Sequence, residues 1–381
     1  MNILYIVHDN KRGGAAISFL EMISLISKEN NVYVLTPHKN GFIPQKLDEM
    51  NIPHRNAHYF WWKISLPANK AQAYFRMVIY KILNIWNKIE AKRLKRMIQK
   101  KNFDIIHSNS SVINFGALLS KETKIPHIWH LREYGEEDFA LRKVVSLKQY
   151  LKEMNNYAVR YIAISNSIKE KFSQIVDEKK IVQIYNGVSE KFSFEKNFDE
   201  GKNEVKFLIS GNYCREKGQI DAVNAVAVLR EQDVSGFKLY LAGNGDFEEP
   251  KEIAKRKNLQ EYIVVCGCVD DMLQLRKDVD VEIVASKCEA FGRVTIEAMR
   301  MSNPVIGTNS GGTPELIIDG KVGFLFEYGN PIELARYMKR FIEDKRLITQ
   351  MGHDAYEETK DKFTPLQNAE HILELYKQII N

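Results

Sequence analysis

Two glutamates eight residues apart bracket an apolar stretch with a glycine and an arginine in EAFGRVTIE, residues 289–297. On one continuous helix, eight residues turn about 800° and rise about 12 Å, so Glu289 and Glu297 would lie on different faces. If Gly292 belongs to a loop and a helix begins near Arg293, the first glutamate lies over the helix N-terminus and the second lies one turn inside. That geometry surrounds an anionic ligand with contacts.

A second segment, SGNYCREKG at 210–218, carries Arg215 and Lys217 from a predicted strand into a predicted helix. Cations at such a position neutralise a pyrophosphate leaving group, which is the main electrostatic need when a glycosyl–phosphate bond breaks. A solvated surface pair is the alternative interpretation. The segment by itself leaves both open.

Two glycine-rich turns also stand before predicted helices, Gly13-Gly14 in HDNKRGGAAISF and Gly311-Gly312-Thr313 in GGTPELI. Glycine has no Cβ, so backbone N–H groups in such turns can approach a phosphate or a sugar closely. The first turn lacks the GxGxxG spacing of a dinucleotide fingerprint. A plain tight turn is the alternative. We expect a helix near Pro314 after the second turn.

These motifs all lie where a strand ends and a helix begins. Apolar, strand-like runs alternate with helical stretches in both halves, which predicts two doubly wound, Rossmann-like α/β domains with parallel sheets. We predict an N-terminal domain over 1–188, a polar linker over 189–203 and a C-terminal domain over 204–364. The helix at 365–381 is either the last element of the second domain or a helix returning to the first. Ligands of such sheets bind beyond the carboxyl ends of the strands.

The composition is that of an ordinary folded protein, with 44% hydrophobic and 27% charged residues. Its 381 residues exceed the ~250–300 at which one core stops growing, in agreement with two domains. Four cysteines without paired CxxC spacing favour neither a disulfide framework nor a metal site. No apolar run approaches the ~20 residues of a membrane span. MNILYIVHDN becomes polar too early for a signal peptide, so we expect a cytoplasmic protein.

Taken in order, the motifs resemble the pattern of the family 4 glycosyltransferases, most fully over residues 204–360. The segments that carry this resemblance are GNYCREKG, LAGNGDFEE, CGCVDD, SKCEAFGRVTIEAM, NPVIGTNSGGTPELI and DGKVGFLFEYGNP. The first half matches more loosely, through GGAAISFLEMI, DIIHSNS, PHIWHLREY, AISNSIKEKF and IYNGVSEKF. The resemblance implies a GT-B fold with two domains facing an interdomain cleft, a nucleotide-sugar donor, retention at the anomeric carbon and no metal or other cofactor.

The resemblance also implies roles for individual residues. Glu289 matches the glutamate that lies against the donor sugar, and Glu297 matches the one that hydrogen-bonds the ribose. Contacts to the donor diphosphate are implied for Gly14, Arg215, Lys217, Gly292, Arg293 and Val294. The chain departs from the family at Asn212, where an arginine is usual, so Arg215 is expected to supply part of the missing charge.

His130, the last residue of PHIWH, matches the family position whose imidazole contacts the donor sugar near the reacting centre. An ordinary histidine at the end of a strand is the alternative, and His127 is a rival within the same run. We favour His130 because a catalytic side chain belongs where the strand ends and the loop opens. Retention is compatible with a covalent intermediate on Glu289 or with a front-face reaction in which the leaving phosphate accepts the proton.

The basic segment 70–101 contains ten lysines and arginines and a single glutamate among many aliphatic and aromatic residues. As a helix it could rest on the anionic inner leaflet, where each well-placed cation contributes about 1 kcal/mol. A polyprenyl-linked acceptor would lie there. The alternative is a packed helix whose charges face water.

The sequence therefore predicts a glycosyltransferase that moves a sugar from a UDP-sugar, or next a GDP-sugar, to a glycan or lipid-linked acceptor in cell-surface polysaccharide synthesis. No nucleic-acid partner is expected. Two alternatives remain, a sugar-nucleotide epimerase of the same fold and a binding protein with weakened catalysis.

Asp278-Val-Asp280 has the DxD form of metal-dependent transferases, but it precedes a predicted strand. We expect Asp270-Asp271 to cap the short helix that follows.

Overall fold

The computed structural model describes residues 1–196 and 201–380 and divides the chain into two compact units. Unit 1 contains Met1–Gly187 together with the C-terminal residues from Thr364 onward, and unit 2 contains Val188–Phe363. No helix in the part of the chain that the structure describes has both the length and the apolarity needed to cross a membrane.

Unit 1 is built on a seven-stranded parallel sheet with helices around it. The strands of unit 1 are β1 (Asn2–Ile6), β2 (Asn31–Thr36), β3 (His54–Asn56), β4 (Lys63–Ser65), β5 (Ile105–Ser108), β6 (His127–Leu131), β7 (Leu141–Lys143), β8 (Arg160–Ala163) and β9 (Ile181–Gln183). Two of them, β4 and β7, pair with each other in a separate antiparallel ribbon, and the other seven form the sheet. Its helices up to residue 187 are α1 (Gly14–Ile26), α2 (Phe42–Glu49), α3 (Lys70–Lys100), α4 (Phe115–Thr123), α5 (Glu136–Phe139), α6 (Leu147–Asn156) and α7 (Asn166–Ser173).

Unit 2 is built on a six-stranded sheet that is also parallel throughout. Its strands are β10 (Val205–Ser210), β11 (Phe237–Ala242), β12 (Ile263–Gly267), β13 (Val281–Val284), β14 (Val305–Thr308) and β15 (Gly323–Phe326). Its helices are α8 (Gln219–Glu231), α9 (Glu248–Arg256), α10 (Met272–Asp278), α11 (Arg293–Met299), α12 (Pro331–Glu343) and α13 (Arg346–Thr359). A last helix, α14 (Pro365–Ile380), belongs to unit 1.

The two sheets share one topology. Unit 1 has the order β3-β2-β1-β5-β6-β8-β9, and unit 2 has the order β12-β11-β10-β13-β14-β15. In each, the chain starts in the middle, winds outward, and then crosses back to the other side of the first strand. This is the doubly wound arrangement, which leaves a crevice at the carboxyl edge where the winding reverses, between β1 and β5 and between β10 and β13. The predicted α/β fold class is confirmed.

Apolar sequence accounts for the sheets, because strands covered by helices on both faces must be apolar throughout. Ile3 to Ile6 of β1 and Val281 to Val284 of β13 are buried without interruption. Polar side chains begin several helices by accepting first-turn N–H groups. These caps are Asn69, Ser146, Ser165, Asp271 and Asn330. The cap expected from Asp270-Asp271 is thus present, and Asp271 provides it.

The chain crosses from unit 1 to unit 2 at residues 187 and 188, so the described part of the predicted linker belongs to unit 2. Phe192 is buried there and lies under the guanidinium of Arg276, at 5.2 Å from the ring centre. The polar composition of 189–203 gave no indication that Phe192 is buried. Residues 197–200 of that stretch lie outside the described residues. Of the two alternatives for the C-terminal helix, the structure has the return to the first half, where α14 packs against α1.

Arg300 fixes the two ends of unit 2. Its buried side chain donates hydrogen bonds to the carbonyl oxygens of Val188 at 2.7 Å, Thr359 at 3.2 Å and Lys362. We expect Arg300→Met to lower the free energy of unfolding by about 3 kcal/mol, because buried carbonyls lose their donors. Urea unfolding followed by circular dichroism measures this.

Arg336 supplies the matched control for that measurement. Its side chain is exposed and pairs with Glu333 on the same helix. Arg336→Met should stay within about 0.5 kcal/mol of the parent chain. Equal losses in the two variants would contradict the anchoring role of Arg300.

Candidate active site

Lys217 is carried to the reversal point of unit 2 by a single 3-10 turn, Arg215–Lys217, that follows β10. The next residue, Gly218, has a φ of +71°, and a Cβ there would lie 2.1 Å from the carbonyl oxygen of Ala285. Only glycine tolerates both the left-handed backbone and this contact. The glycine therefore lets the turn after β10 press against the chain leaving β13.

Glu289 lies on the other side of this point, in the loop after β13. Its Oε1 accepts hydrogen bonds from the Lys217 ammonium and, at 2.6 Å, from the Ser286 hydroxyl. Burial alone would raise the pKa of the Glu289 carboxyl, but the charge and hydrogen bond of Lys217 outweigh it and the pKa is lowered. The site thus holds an ionised carboxylate paired with an ammonium.

The turn at 311–313 holds Glu289 in place from behind. The N–H of Gly312 donates to the Glu289 carbonyl at 2.7 Å, and Gly311 pairs with the Glu289 backbone. Gly311 has a φ of +61°, and a Cβ there would lie 2.5 Å from the same carbonyl oxygen. The helix expected near Pro314 is a single 3-10 turn, Thr313–Glu315, and the Gly312 N–H is used in the backbone contact to Glu289.

The helix that carries Glu297 begins at Arg293, directly after Gly292, as the sequence predicted. Glu297 lies one turn inside it and is mostly buried. Its Oε2 is 2.9 Å from Nη1 of Arg276, and its Oε1 is 3.7 Å from Nη2 of Arg293. The carboxylate is therefore oriented by two guanidinium groups.

Arg276 is a site residue that the sequence analysis missed. It is fully buried on α10 and forms a two-pronged pair with Glu282 at 2.9 and 3.0 Å, while Nη2 also donates to Ser210 at 3.1 Å. Burial would lower the pKa of Arg276, but Glu282 and Glu297 raise it, so its charge is secure. One signal was available, since Glu282 interrupts the apolar strand VEIV and a buried carboxylate needs a cation.

Arg215 is not part of this constellation in the structure. Its side chain is 79% exposed and pairs with Glu249 at 3.3 Å. Tyr213 donates to the same carboxylate at 2.8 Å. The ion pair with Glu249 of α9 thus orients Arg215 away from the site. Its closeness to Lys217 in the sequence could not reveal this. The part of Arg215 in diphosphate binding stays a prediction.

Gly14 and His130 belong to unit 1. Helix α1 begins at Gly14, and no side chain of a described residue caps it. Its first-turn N–H groups, which have no intrahelical acceptor, therefore lack a side-chain acceptor as well. His130 lies inside β6 and is buried. Its Nδ1 is 3.1 Å from Nε2 of His107 and 3.3 Å from Nη2 of Arg132. Burial, reinforced by Arg132, holds the pKa of His130 well below its usual range.

The rival histidine, His127, has both ring nitrogens in structural hydrogen bonds. Its Nδ1 is 3.0 Å from the Tyr157 carbonyl, and its Nε2 is 2.9 Å from the Ser108 hydroxyl. In contrast, Nε2 of His130 is buried without a partner among the described residues. The geometry therefore favours His130 over His127 as the histidine with a ring nitrogen to offer.

Comparison with known proteins agrees with these features. The family model described as glycosyl transferases group 1 matches residues 189–358, and the model described as glycosyltransferase family 4 matches residues 12–192. The N-acetyl-alpha-D-glucosaminyl L-malate synthase of Bacillus anthracis is 27% identical over 303 residues, 76% of this chain and 77% of that protein. The capsular polysaccharide biosynthesis glycosyltransferase CapM of Staphylococcus aureus is 26% identical over 240 residues, 58% of this chain and 62% of that protein.

A solved structure has the same fold over the whole length. The crystal structure of Anabaena Alr3699/HepE in complex with UDP-glucose matches with a TM-score of 0.76 and 21% identity, covering 99% of this chain and 100% of that one. The two family models together span both units. The chain is a glycosyltransferase and belongs to glycosyltransferase family 4.

Proposed function

We propose that this chain transfers a sugar, with retention, from a nucleoside-diphosphate donor to a glycan or lipid-linked acceptor in cell-surface polysaccharide synthesis. The observation that carries the proposal is the Lys217–Glu289 pair at the point where the winding of unit 2 reverses. UDP-sugars are the first choice of donor and GDP-sugars the second. The UDP-glucose complex of HepE and the capsular role in the name of CapM support this class of reaction.

Lys217 is the group that neutralises the leaving diphosphate. A fixed ammonium placed where negative charge develops lowers the barrier, because it need not reorganise during the reaction. Glu289 and Ser286 orient it beforehand through Oε1 of the carboxylate. Oε2 of Glu289 then accepts a hydrogen bond from a hydroxyl of the donor sugar. Glu289 as a covalent nucleophile remains the alternative mechanism.

The start of α11 completes the donor site. First-turn N–H groups of a helix lack intrahelical acceptors, so the backbone of Gly292, Arg293 and Val294 binds diphosphate oxygens. Glu297 accepts hydrogen bonds from the ribose hydroxyls. It uses the carboxylate lone pairs that Arg276 and Arg293 do not occupy. For Gly14, at the start of α1 in unit 1, phosphate binding stays a prediction. Arg215 contributes charge when it releases Glu249.

His130 acts as a neutral hydrogen-bond donor to the sugar. Its lowered pKa keeps the imidazole uncharged near neutral pH, so it does not serve as a proton source. The leaving phosphate accepts the proton of the acceptor hydroxyl in a front-face reaction. No metal takes part in this scheme. Asp280, in the DxD-like triplet, accepts the Lys206 N–H at 2.9 Å before β13 begins, at the edge opposite the site.

We further propose that α3 contacts the anionic inner face of the cell membrane. Its packed side is polar in the middle of the helix, at Asn84, Asn87 and Glu90, and apolar in the last turns, at Ala91, Leu94 and Ile98. Asn87 binds both the N–H and the carbonyl of Phe60 at 2.9 Å. The opposite side is apolar and exposed. Its members are Tyr74, Phe75, Ile79, Ile82, Ile85, Trp86 and Ile89.

These seven residues fall within an arc of about 140° on a helical projection, with lysines and arginines along its edge. Apolar side chains that insert between lipids, flanked by cations that meet anionic headgroups, are the features of an interfacial helix. A polyprenyl-linked acceptor would be reached at that surface.

The first test is a donor panel. Thermal unfolding of the chain with UDP, GDP, ADP and their sugars should show stabilisation by one base, of about 2.7 kcal/mol when the ligand is at 100 times its dissociation constant. Incubation of that sugar nucleotide with acceptor should release the nucleoside diphosphate in the presence of EDTA. An epimerised sugar nucleotide formed from donor alone would replace the proposal with the epimerase, and binding without any product would replace it with a binding protein.

Three variants separate the proposed roles. Lys217→Met should raise the Kd of the nucleoside diphosphate about ten- to a hundredfold, because a hydrogen bond to a charged group is lost. Glu297→Ala should weaken donor binding, and His130→Ala should mainly lower kcat. The exposed Lys251, paired with Glu248 on α9, provides the control Lys251→Met, which should bind normally. Normal kinetics in all three site variants would overturn the assignments.

Membrane contact is tested with sedimentation of vesicles. The triple variant Phe75→Ser, Ile82→Ser and Trp86→Ser should lose at least about tenfold in affinity for phosphatidylglycerol vesicles, since each buried apolar side chain contributes about 1.5 kcal/mol or more. Ile332, 68% exposed on unit 2, supplies the control Ile332→Ser. Equal binding of the triple variant and the control would remove α3 from the membrane interface.

A further inference from the structure

Polar side chains gather in unit 1 around the point where its winding reverses. His8 follows β1, Asn109 follows β5, and His130 and Arg132 lie at the end of β6. His8 is partly buried and the other three are buried. The carboxyl ends of parallel strands meet at this edge, which is where doubly wound sheets bind ligands.

Three atoms of this cluster lack hydrogen-bond partners. Within the described residues, Nδ1 of His8, Nδ2 of Asn109 and Nε2 of His130 are buried and unpaired. A buried polar atom without a partner destabilises the fold by about 1–3 kcal/mol. Three such atoms at one sheet edge indicate a site that a polar ligand completes.

Arg132 determines which of these atoms donate. Its Nε donates to Oδ1 of Asn109 at 2.7 Å, so the amide of Asn109 offers its two N–H bonds. Its Nη2 lies 3.3 Å from Nδ1 of His130, and a guanidinium only donates. Nδ1 of His130 is therefore an acceptor, and the proton of the neutral ring is on Nε2.

Helix α14 supports the same proton position from the other side. With Nδ1 of His130 as an acceptor, Nε2 of His107 must donate to it across 3.1 Å. That leaves Nδ1 of His107 to accept from the hydroxyl of Tyr376, at 2.6 Å. The hydroxyl of Tyr376 also lies 2.9 Å from that of Tyr5, and each member of this chain of polar contacts is buried.

His8 has the opposite polarity. Burial lowers the pKa of His8 to about 4, and the backbone carbonyl of Asn109 raises it in part, as a carbonyl does when it faces a ring N–H. The ring is therefore neutral near pH 7, and the unpaired Nδ1 is an acceptor. A phosphate would meet this lone pair unfavourably, and an ammonium would meet the N–H groups of Asn109 and His130 unfavourably. A hydroxyl both donates and accepts, so neighbouring hydroxyls fit the array.

We propose that His8, Asn109 and His130 form a subsite for adjacent hydroxyl groups of a sugar, with Arg132 as the positioning residue that orients the amide and the imidazole. This inference rests on the proposed function, because sugar transfer supplies the ligand. The hydroxyls belong either to the donor sugar or to the acceptor glycan, and the test distinguishes the two.

The decisive variant is Asn109→Asp, which keeps an oxygen for Arg132 and removes the N–H donors. Calorimetry compares UDP with UDP-glucose and UDP-N-acetylglucosamine, and then titrates methyl glycosides of glucose, mannose and N-acetylglucosamine onto the UDP-loaded protein. We expect a loss of about three- to tenfold, as for one or two neutral hydrogen bonds, in the sugar-dependent affinity with UDP affinity retained. A loss for sugar nucleotides assigns the hydroxyls to the donor, and a loss for glycosides alone assigns them to the acceptor.

Asn186 supplies a matched control. Its Oδ1 accepts from Nη1 of Arg132 at 2.6 Å, so Asn186→Asp places the same charge against the same guanidinium. Its sugar-dependent affinity should stay within about twofold of the parent chain. Sugar affinities that are unchanged in Asn109→Asp, or reduced equally in both variants, overturn the inference.

A second measurement needs no nucleotide. Nitrogen-15 NMR of labelled histidine side chains should show the proton on Nε2 in both His8 and His130, and Arg132→Lys should shift His130 toward the other tautomer. A proton on Nδ1 of either residue in the parent chain overturns the inference. If the proposed function is wrong, the parent chain will bind no nucleoside diphosphate, and the two histidine tautomers will still be as expected.

Discussion

The ion pair between Lys217 and Glu289 is the interaction on which the proposed chemistry of unit 2 depends. A buried carboxylate is unfavourable unless it is paired, and an unpaired ammonium has no fixed direction. The pair satisfies both groups before any substrate arrives. Gly218 allows the lysine turn to approach the chain after β13, and the 311–313 turn holds the backbone of Glu289. Three loops thus converge on two side chains.

Glu297, the second glutamate of the site, is also held by ion pairs. Glu297 is oriented by Arg276, and Arg276 is fixed in turn by the buried Glu282 on β13. A rigid strand therefore determines the direction of a carboxylate on α11. Preorganisation of this kind matters for a phosphate-transferring or sugar-transferring site, because groups that must rotate into place during the reaction contribute less to catalysis.

Buried polar atoms without a partner in the described chain occur in both units, but in unit 1 three of them lie at one sheet edge, on His8, Asn109 and His130. Such atoms lower the stability of the fold, and we propose that a sugar ligand offsets this loss. Helix α3 follows a related logic at the surface. Its polar side is satisfied by packing, and its apolar side is left exposed.

Features that depend only on neighbours along the chain could be predicted before the fold was known. Apolar runs specified the parallel strands, Asp271 specified a helix start, and the break at Gly292 specified where α11 begins, because each is a local property of backbone and side chain. Only the tertiary structure brought Tyr376 to His107, 269 residues away, and Arg276 to Glu297. Periodicity also could not tell which face of α3 packs, since Asn84 and Asn87 find their partners in distant segments. Pairing between remote polar groups leaves no local pattern, so it had to be seen in the folded chain.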